Sequence, residues 1–159
     1  RWAVSEGIFK GDGAGHLMPQ SSLTRAELAQ ILYNKDKRPA VTGNNAFIDV
    51  ANGAWYADAV LWAGKNGIIE GYNGLFMPGD PITREQLAVM LWRYAGCPTA
   101  ARKELNFIDV DQVSDWALEA MLWATENGVV NGYNGVLDPG GTATRAEAAQ
   151  MLKNFLENI

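Results

Sequence analysis

The chain has 159 residues, a hydrophobic content of 48%, a charged content of 19% and a formal net charge of -5. That length holds one compact domain or a few small repeats sharing a core, and the composition argues against disorder. The acidic balance argues against a broad basic surface for nucleic acid, and the lone Cys97 excludes a disulfide within the chain; with His16 as the only histidine, a zinc site or a Cys-His nucleophile lacks its other members.

The chain opens on fragments whose meaning becomes clear only later. Trp2-Ala3 and Gly7-Ile8-Phe9 are followed by a Gly-rich run, Gly11-Asp12-Gly13-Ala14-Gly15, and by Pro19. The run is not a calcium loop, because Ala14 and His16 stand where oxygen ligands should alternate. Thr24-Arg25-Ala26-Glu27 then reads as a helix start, with Thr24 as N-cap and Glu27 closing a capping box. Leu28, Ile31 and Leu32 mark one apolar face of that helix. Arg25 sits in its first turn, where the helix dipole disfavours a cation.

After a polar connector over 34–45, Phe47-Ile48-Asp49-Val50 introduces a second segment. Trp55, Ala59, Trp62 and Ala63 fall on one face of a predicted helix that Gly67 ends. Gly67-Ile68-Ile69 and Gly71-Tyr72-Asn73-Gly74 lead through Pro78 to Thr83-Arg84-Glu85-Gln86, a second capping box with Gln86 at its third position. Leu87, Met90, Leu91 and Tyr94 form its apolar stripe. Cys97 follows Gly96 at the helix end and is expected to be inert.

The whole order then returns. Phe107-Ile108-Asp109-Val110, a helix with Trp116, Ala120, Trp123 and Ala124, Gly128-Val129-Val130, Gly132-Tyr133-Asn134-Gly135, Pro139 and Thr144-Arg145-Ala146-Glu147 repeat it, with Ala148, Met151, Leu152 and Phe155 as the last stripe. The chain is therefore a repeat protein of three units, 1–40, 46–97 and 106–159, the first without its front half. Each unit reads as helix, loop, helix, and one such pair cannot bury its apolar faces alone. The expected fold is all-α, three helix-loop-helix units in a pseudo-threefold assembly around a central helical bundle. Trp2, Trp62 and Trp123 belong to the core; Trp55 and Trp116 divide evenly between core and groove. Asp49 and Asp109 each precede a helix, which favours a cap or turn role.

The ordered set Phe-x-Asp-Val, Trp-bearing helix, Gly-Ile-Ile-x-Gly-Tyr-x-Gly, Pro and Thr-Arg-Ala-Glu resembles the S-layer homology (SLH) repeat over nearly all of the chain. The resemblance implies a non-enzymatic module that anchors a bacterial surface protein to the cell wall. It implies grooves between repeats that bind secondary cell-wall polysaccharide or a peptidoglycan-linked glycan, often through a pyruvate ketal on an amino sugar. Carried over residue by residue, it points to Arg25, Arg84 and Arg145, to Trp55 and Trp116, and to the loops Gly71, Tyr72, Asn73 and Gly132, Tyr133, Asn134. It implies an extracellular location, no cofactor and upstream domains of the same protein; no membrane insertion is expected, since no apolar run approaches the ~20 residues of a membrane span. Two departures stand out: the first unit lacks the loop tyrosine, and Glu85-Gln86 replaces Ala-Glu. The missing front half of unit 1 is expected to come from upstream residues or from a neighbouring copy, which leaves an oligomer open.

The physics gives the arginines a purpose. Unpaired N–H groups and the positive dipole end of a helix, joined by a planar guanidinium, make a local carboxylate site even on an acidic protein. The plainer reading is an inter-repeat salt bridge. At the level of function, the alternative is a helical scaffold for protein partners. A glycoside hydrolase would need two carboxyl groups about 5 to 9.5 Å apart across a cleft, and no repeated motif marks such a pair.

Overall fold

The structure, a computed structural model, describes residues 21–43, 45, 47–71 and 73–158; the expectations for Trp2, Asp12, His16 and Tyr72 lie outside them. Among the described residues there are five α-helices and no strand: α1 Arg25–Lys35, α2 Ala57–Lys65, α3 Arg84–Tyr94, α4 Leu118–Glu126 and α5 Arg145–Asn158. The fold is all-α. No helix among the described residues is long and apolar enough to cross a membrane.

The helices begin and end where their chemistry says. In α1 and α3 the Thr24 and Thr83 hydroxyls accept from Glu27 N and Gln86 N, while the Glu27 and Gln86 side chains accept from the threonine N–H groups. Thr144 and Glu147 make the same reciprocal pair ahead of α5. These boxes satisfy donors that a helix start otherwise leaves open. Gly67 and Gly128 end α2 and α4 at φ of +71°. Ile68 N then reaches back to Ala63 O and Val129 N to Ala124 O, each at 2.8 Å, a closure that needs the left-handed conformation glycine adopts without cost.

One expectation is corrected and another narrowed. α2 and α4 start after their first tryptophans: Trp55 precedes α2, and Trp116 lies in a short 3-10 turn, Asp115–Ala117, ahead of α4. Trp55 and Trp116 are exposed, at 65% and 56%, while Trp62 and Trp123 are buried as the stripe requires. Of the cap or turn role expected for Asp49 and Asp109, the turn is what is found: both lie in turns, and neither side chain caps a helix. The Asp49 carboxylate accepts from Phe76 N at 2.8 Å and Met77 N at 2.7 Å; Asp109 accepts from Leu137 N at 2.9 Å and Asp138 N at 2.7 Å. Each acid ties the front of its unit to the far end of its own loop, because two adjacent amides there point at one place.

The rest of the Phe-Ile-Asp-Val motif grips the same loop. Ile48 N donates to Gly74 O and Ile108 N to Gly135 O. Asn73-Gly74 and Asn134-Gly135 all have positive φ, between 50° and 79°, as a tight two-residue turn demands. A Cβ on Gly132 would lie 2.8 Å from both the Phe107 ring and Val136 O, so Phe107 packs where a side chain would stand. Gly71 is filled in the same way by Phe47.

Helices pack across unit boundaries: α2 lies on α1, and α4 on α3. An aromatic chain joins them, from Tyr33 to Trp62 at 5.5 Å, Trp62 to Tyr94 at 6.2 Å, Tyr94 to Phe155 at 6.1 Å and Phe155 to Trp123 at 6.0 Å between centroids. Offset and edge-on aromatic pairs of this kind add to simple area burial.

A closed ring of backbone hydrogen bonds holds the three helix starts together. Leu23 N donates to Ala143 O at 3.1 Å, Ala143 N to Ile82 O at 3.0 Å, and Ile82 N to Leu23 O at 2.8 Å. All three residues are fully buried, so their amides have no water to turn to. Ile82→Pro removes one ring donor and orphans the Leu23 carbonyl. It is expected to cost about 3 kcal/mol or more, against about 1 kcal/mol for Ile82→Val, which keeps the N–H. Urea unfolding of the two variants measures the difference.

Candidate functional site

Immediately after the ring, each unit delivers an arginine to its neighbour. Arg25 N donates to Asp80 O, Arg84 N to Gly141 O and Arg145 N to Ser21 O, at 2.8 to 3.0 Å. The backbone of each arginine is thus pinned to the next unit before its side chain makes any contact. The side chains continue in the same direction.

Arg84 reaches unit 3, with Nη1 on Asp138 at 2.9 Å and Nη2 on Glu147 at 2.6 Å. Arg145 reaches unit 1, where Nη1 pairs with Glu27. Arg25 reaches unit 2, where its Nε donates to Phe76 O at 2.9 Å and its guanidinium lies 5.0 Å from the Phe76 ring centroid. Glu27 and Glu147 serve two partners each, one oxygen closing the capping box and the other holding an arginine from the preceding unit. The inter-repeat salt bridge anticipated from the sequence is therefore present for Arg84 and Arg145.

Among the described residues, two grooves at the seams carry arginines of the helix starts. The first, of about 480 Å³, has Arg25 from unit 1, Gly71, Gln86 and Arg93 from unit 2, and Trp116 from unit 3 in its walls. The second, of about 730 Å³, has Arg84 from unit 2 and Gly132, Tyr133, Asn134 and Glu147 from unit 3. The structure so brings together Arg25, Gly71 and Trp116 in one groove and Arg84, Gly132, Tyr133 and Asn134 in the other. Trp55, Asn73 and Arg145 line neither. Trp55 stacks edge-on against Tyr56 at 5.0 Å, and Tyr133 is 80% exposed at the mouth of its groove.

Four residues of the sites had no site role assigned from the sequence. Glu85, buried, accepts from Ser114 N at 2.9 Å and Ser114 Oγ at 2.6 Å and so holds the turn that carries Trp116. Gln86 and Met77 stand in unit 2 where Glu147 and Asp138 stand in unit 3, and Arg93 stands where Asn34 and Asn154 do. Glu85-Gln86 was visible as a departure from the repeat; its meaning depended on knowing that Arg25 faces it.

Burial is the main influence on Arg25 and lowers its pKa; Asp80 and Asp49 oppose that, and Arg93 adds to it. The group remains charged at any ordinary pH. Burial works to raise Asp109 and Glu147, but hydrogen bonds win: Leu137 and Asp138 N–H groups hold Asp109 low, and Arg84 with Thr144 holds Glu147 low. No group of three or more His, Cys, Asp or Glu among the described residues is arranged to hold a metal ion.

The S-layer homology domain family model matches residues 1–29, 46–88 and 106–149. The chain is 37% identical to an exoglucanase, XynX, of Acetivibrio thermocellus over 97% of its own length and 15% of that protein. It is 33% identical to the surface-layer 125 kDa protein of Lysinibacillus sphaericus over 98% of its length and 14% of that protein. A cellulosome-anchoring protein of A. thermocellus is 33% identical over 57% of this chain and 21% of its own. The chain thus spans a small fraction of the relatives it matches.

Because Asp109 and Glu147 titrate lower in the folded chain than when unfolded, their stabilisation is complete above the ordinary carboxylate range and is lost as pH falls through the folded values. Urea midpoints measured across that range are expected to fall with acidification. Asp109→Asn and Glu147→Gln should each flatten the fall; Glu147→Gln retains the capping box, as Gln86 does.

Proposed function

The chain belongs to the S-layer homology family of cell-surface anchoring modules, and from that premise we propose that it attaches a larger surface protein non-covalently to the bacterial cell wall by binding an anionic secondary wall polysaccharide. The matched enzymes share only a small part of their length with it, so their named activities are not carried over. In this reading the backbone ring is the hub of a pseudo-threefold assembly of the units, and the inter-unit grooves are the binding sites.

The observation that carries the proposal is the Arg25 groove. A buried guanidinium at a helix start, a loop glycine and an exposed tryptophan, drawn from three different units, line one space. The first N–H groups of this helix are already taken by Asp80 O, Pro78 O and Thr24 Oγ1, so the guanidinium is what suits a carboxylate, and an indole face suits the apolar side of a sugar ring or a ketal methyl. A pyruvate ketal on an amino sugar offers both. The groove needs no net positive charge on the protein, because its donors are local and already ordered.

Binding to purified sacculi, before and after mild acid removes pyruvate ketals, tests the proposal. The expected result is binding that is lost with the ketals and weakened about tenfold or more by at least one folded variant among Arg25→Ala, Arg84→Ala and Arg145→Ala. Binding indifferent to both would move the mechanism to a neutral glycan or a protein partner.

A further inference from the structure

The two described grooves are built from equivalent positions and differ in charge. In the Arg84 groove the arginine meets Asp138 and Glu147 at hydrogen-bond distance. It is neutralised from within, and an incoming anion would have to displace two carboxylates. In the Arg25 groove the equivalent positions hold Met77 and Gln86.

Gln86 does more than remove a charge. Its Oε1 accepts from Thr83 N to close the capping box, so the other end of the amide is an NH2, which donates and cannot accept. Arg25 is 9% exposed, and of its guanidinium nitrogens Nε has an acceptor, Phe76 O. Its Nη1 and Nη2 make no hydrogen bond or ion pair with any described residue. Asp80 and Asp49 act on Arg25 only at longer range, and both Asp49 oxygens already receive amides.

A second cation lines the same groove. Among the described residues Arg93 makes long contacts, 3.4 Å to Ile68 O and 3.6 Å to the exposed Glu70, the one carboxylate that also lines this groove. The two other units carry asparagine at this position. Arg25, Gln86 and Arg93 therefore present donors to one space that includes Trp116 and has no carboxylate held on Arg25.

We infer that the Arg25 groove is the principal anion site of the module, with Arg93 as a second cationic contact, and that it takes the single carboxylate of an acidic sugar. This rests on the anchoring reading and assigns its main site. Unit 2 departs from both other units at Glu85, Gln86 and Arg93 together, and at Met77, as at Met18 of unit 1, it lacks the Asp138 of unit 3: Glu85 holds the Trp116 turn, Gln86 and Met77 withhold competing carboxylates, and Arg93 adds charge.

The test is titration of the whole chain with a pyruvate-ketal amino sugar, alongside sacculus binding, for the wild type, Gln86→Glu and Arg93→Ala. Gln86→Glu restores the residue found in both other capping boxes, so it keeps the fold; thermal melting verifies this. The expected result is at least about tenfold weaker binding for Gln86→Glu, whose new carboxylate occupies Arg25, and a clear loss for Arg93→Ala. Wild-type affinity in both variants, with the wild type binding sacculi, would overturn the assignment and leave the anchoring reading standing. A wild type that binds neither sacculi nor the sugar would overturn both.

Discussion

Three buried backbone amides, at Leu23, Ile82 and Ala143, can be satisfied only by one another. This constraint organises the molecule. Each unit contributes one donor and one acceptor to the ring, so the hydrogen bonding closes only when all three are in place. The helix starts lie directly behind it, and the arginine that opens each helix is carried across a seam to the next unit. An arginine at the positive end of a helix is a poor choice for an isolated helix. It is a sensible one where the helix start is also a wall of a groove.

The same geometry explains how one position does two jobs. The third residue of each helix closes a capping box with one side-chain oxygen and faces the preceding unit's arginine with the remainder. With glutamate the remainder is a carboxylate and the seam is locked by an ion pair; with glutamine it is an amide and the arginine is left available. A change of a single heavy atom, which leaves the capping box closed, thus decides whether this position holds the facing arginine in an ion pair. Glu85 supplies the complementary change, fixing the aromatic wall by gripping Ser114.

Much of this was legible in the sequence. The capping threonines, the apolar stripes of α1, α3 and α5, the stop glycines and the buried Trp62 and Trp123 all follow from local rules of propensity and periodicity, which act over a few residues. What was not legible depends on partners far along the chain. Helical periodicity extended through Trp55 and Trp116, although the turns ahead of α2 and α4 leave both exposed. Asp49 and Asp109 look like caps because a helix follows, yet their partners are amides on the far side of a loop. The α2–α1 and α4–α3 pairings cross unit boundaries, and a repeat pattern states which residues are equivalent without stating which unit faces which. The departures at Gln86 and Arg93 were readable as letters; their place beside Arg25 required the seam.

Amide hydrogen exchange at Leu23, Ile82 and Ala143 tests most directly whether the three units stand as one closed structure. These three amides are expected to be among the slowest in the chain and to exchange together, at the free energy of global unfolding, because no one of them can open while the ring is intact. Exchange of one ring amide well ahead of the other two, through an opening that leaves the remaining units folded, would contradict it.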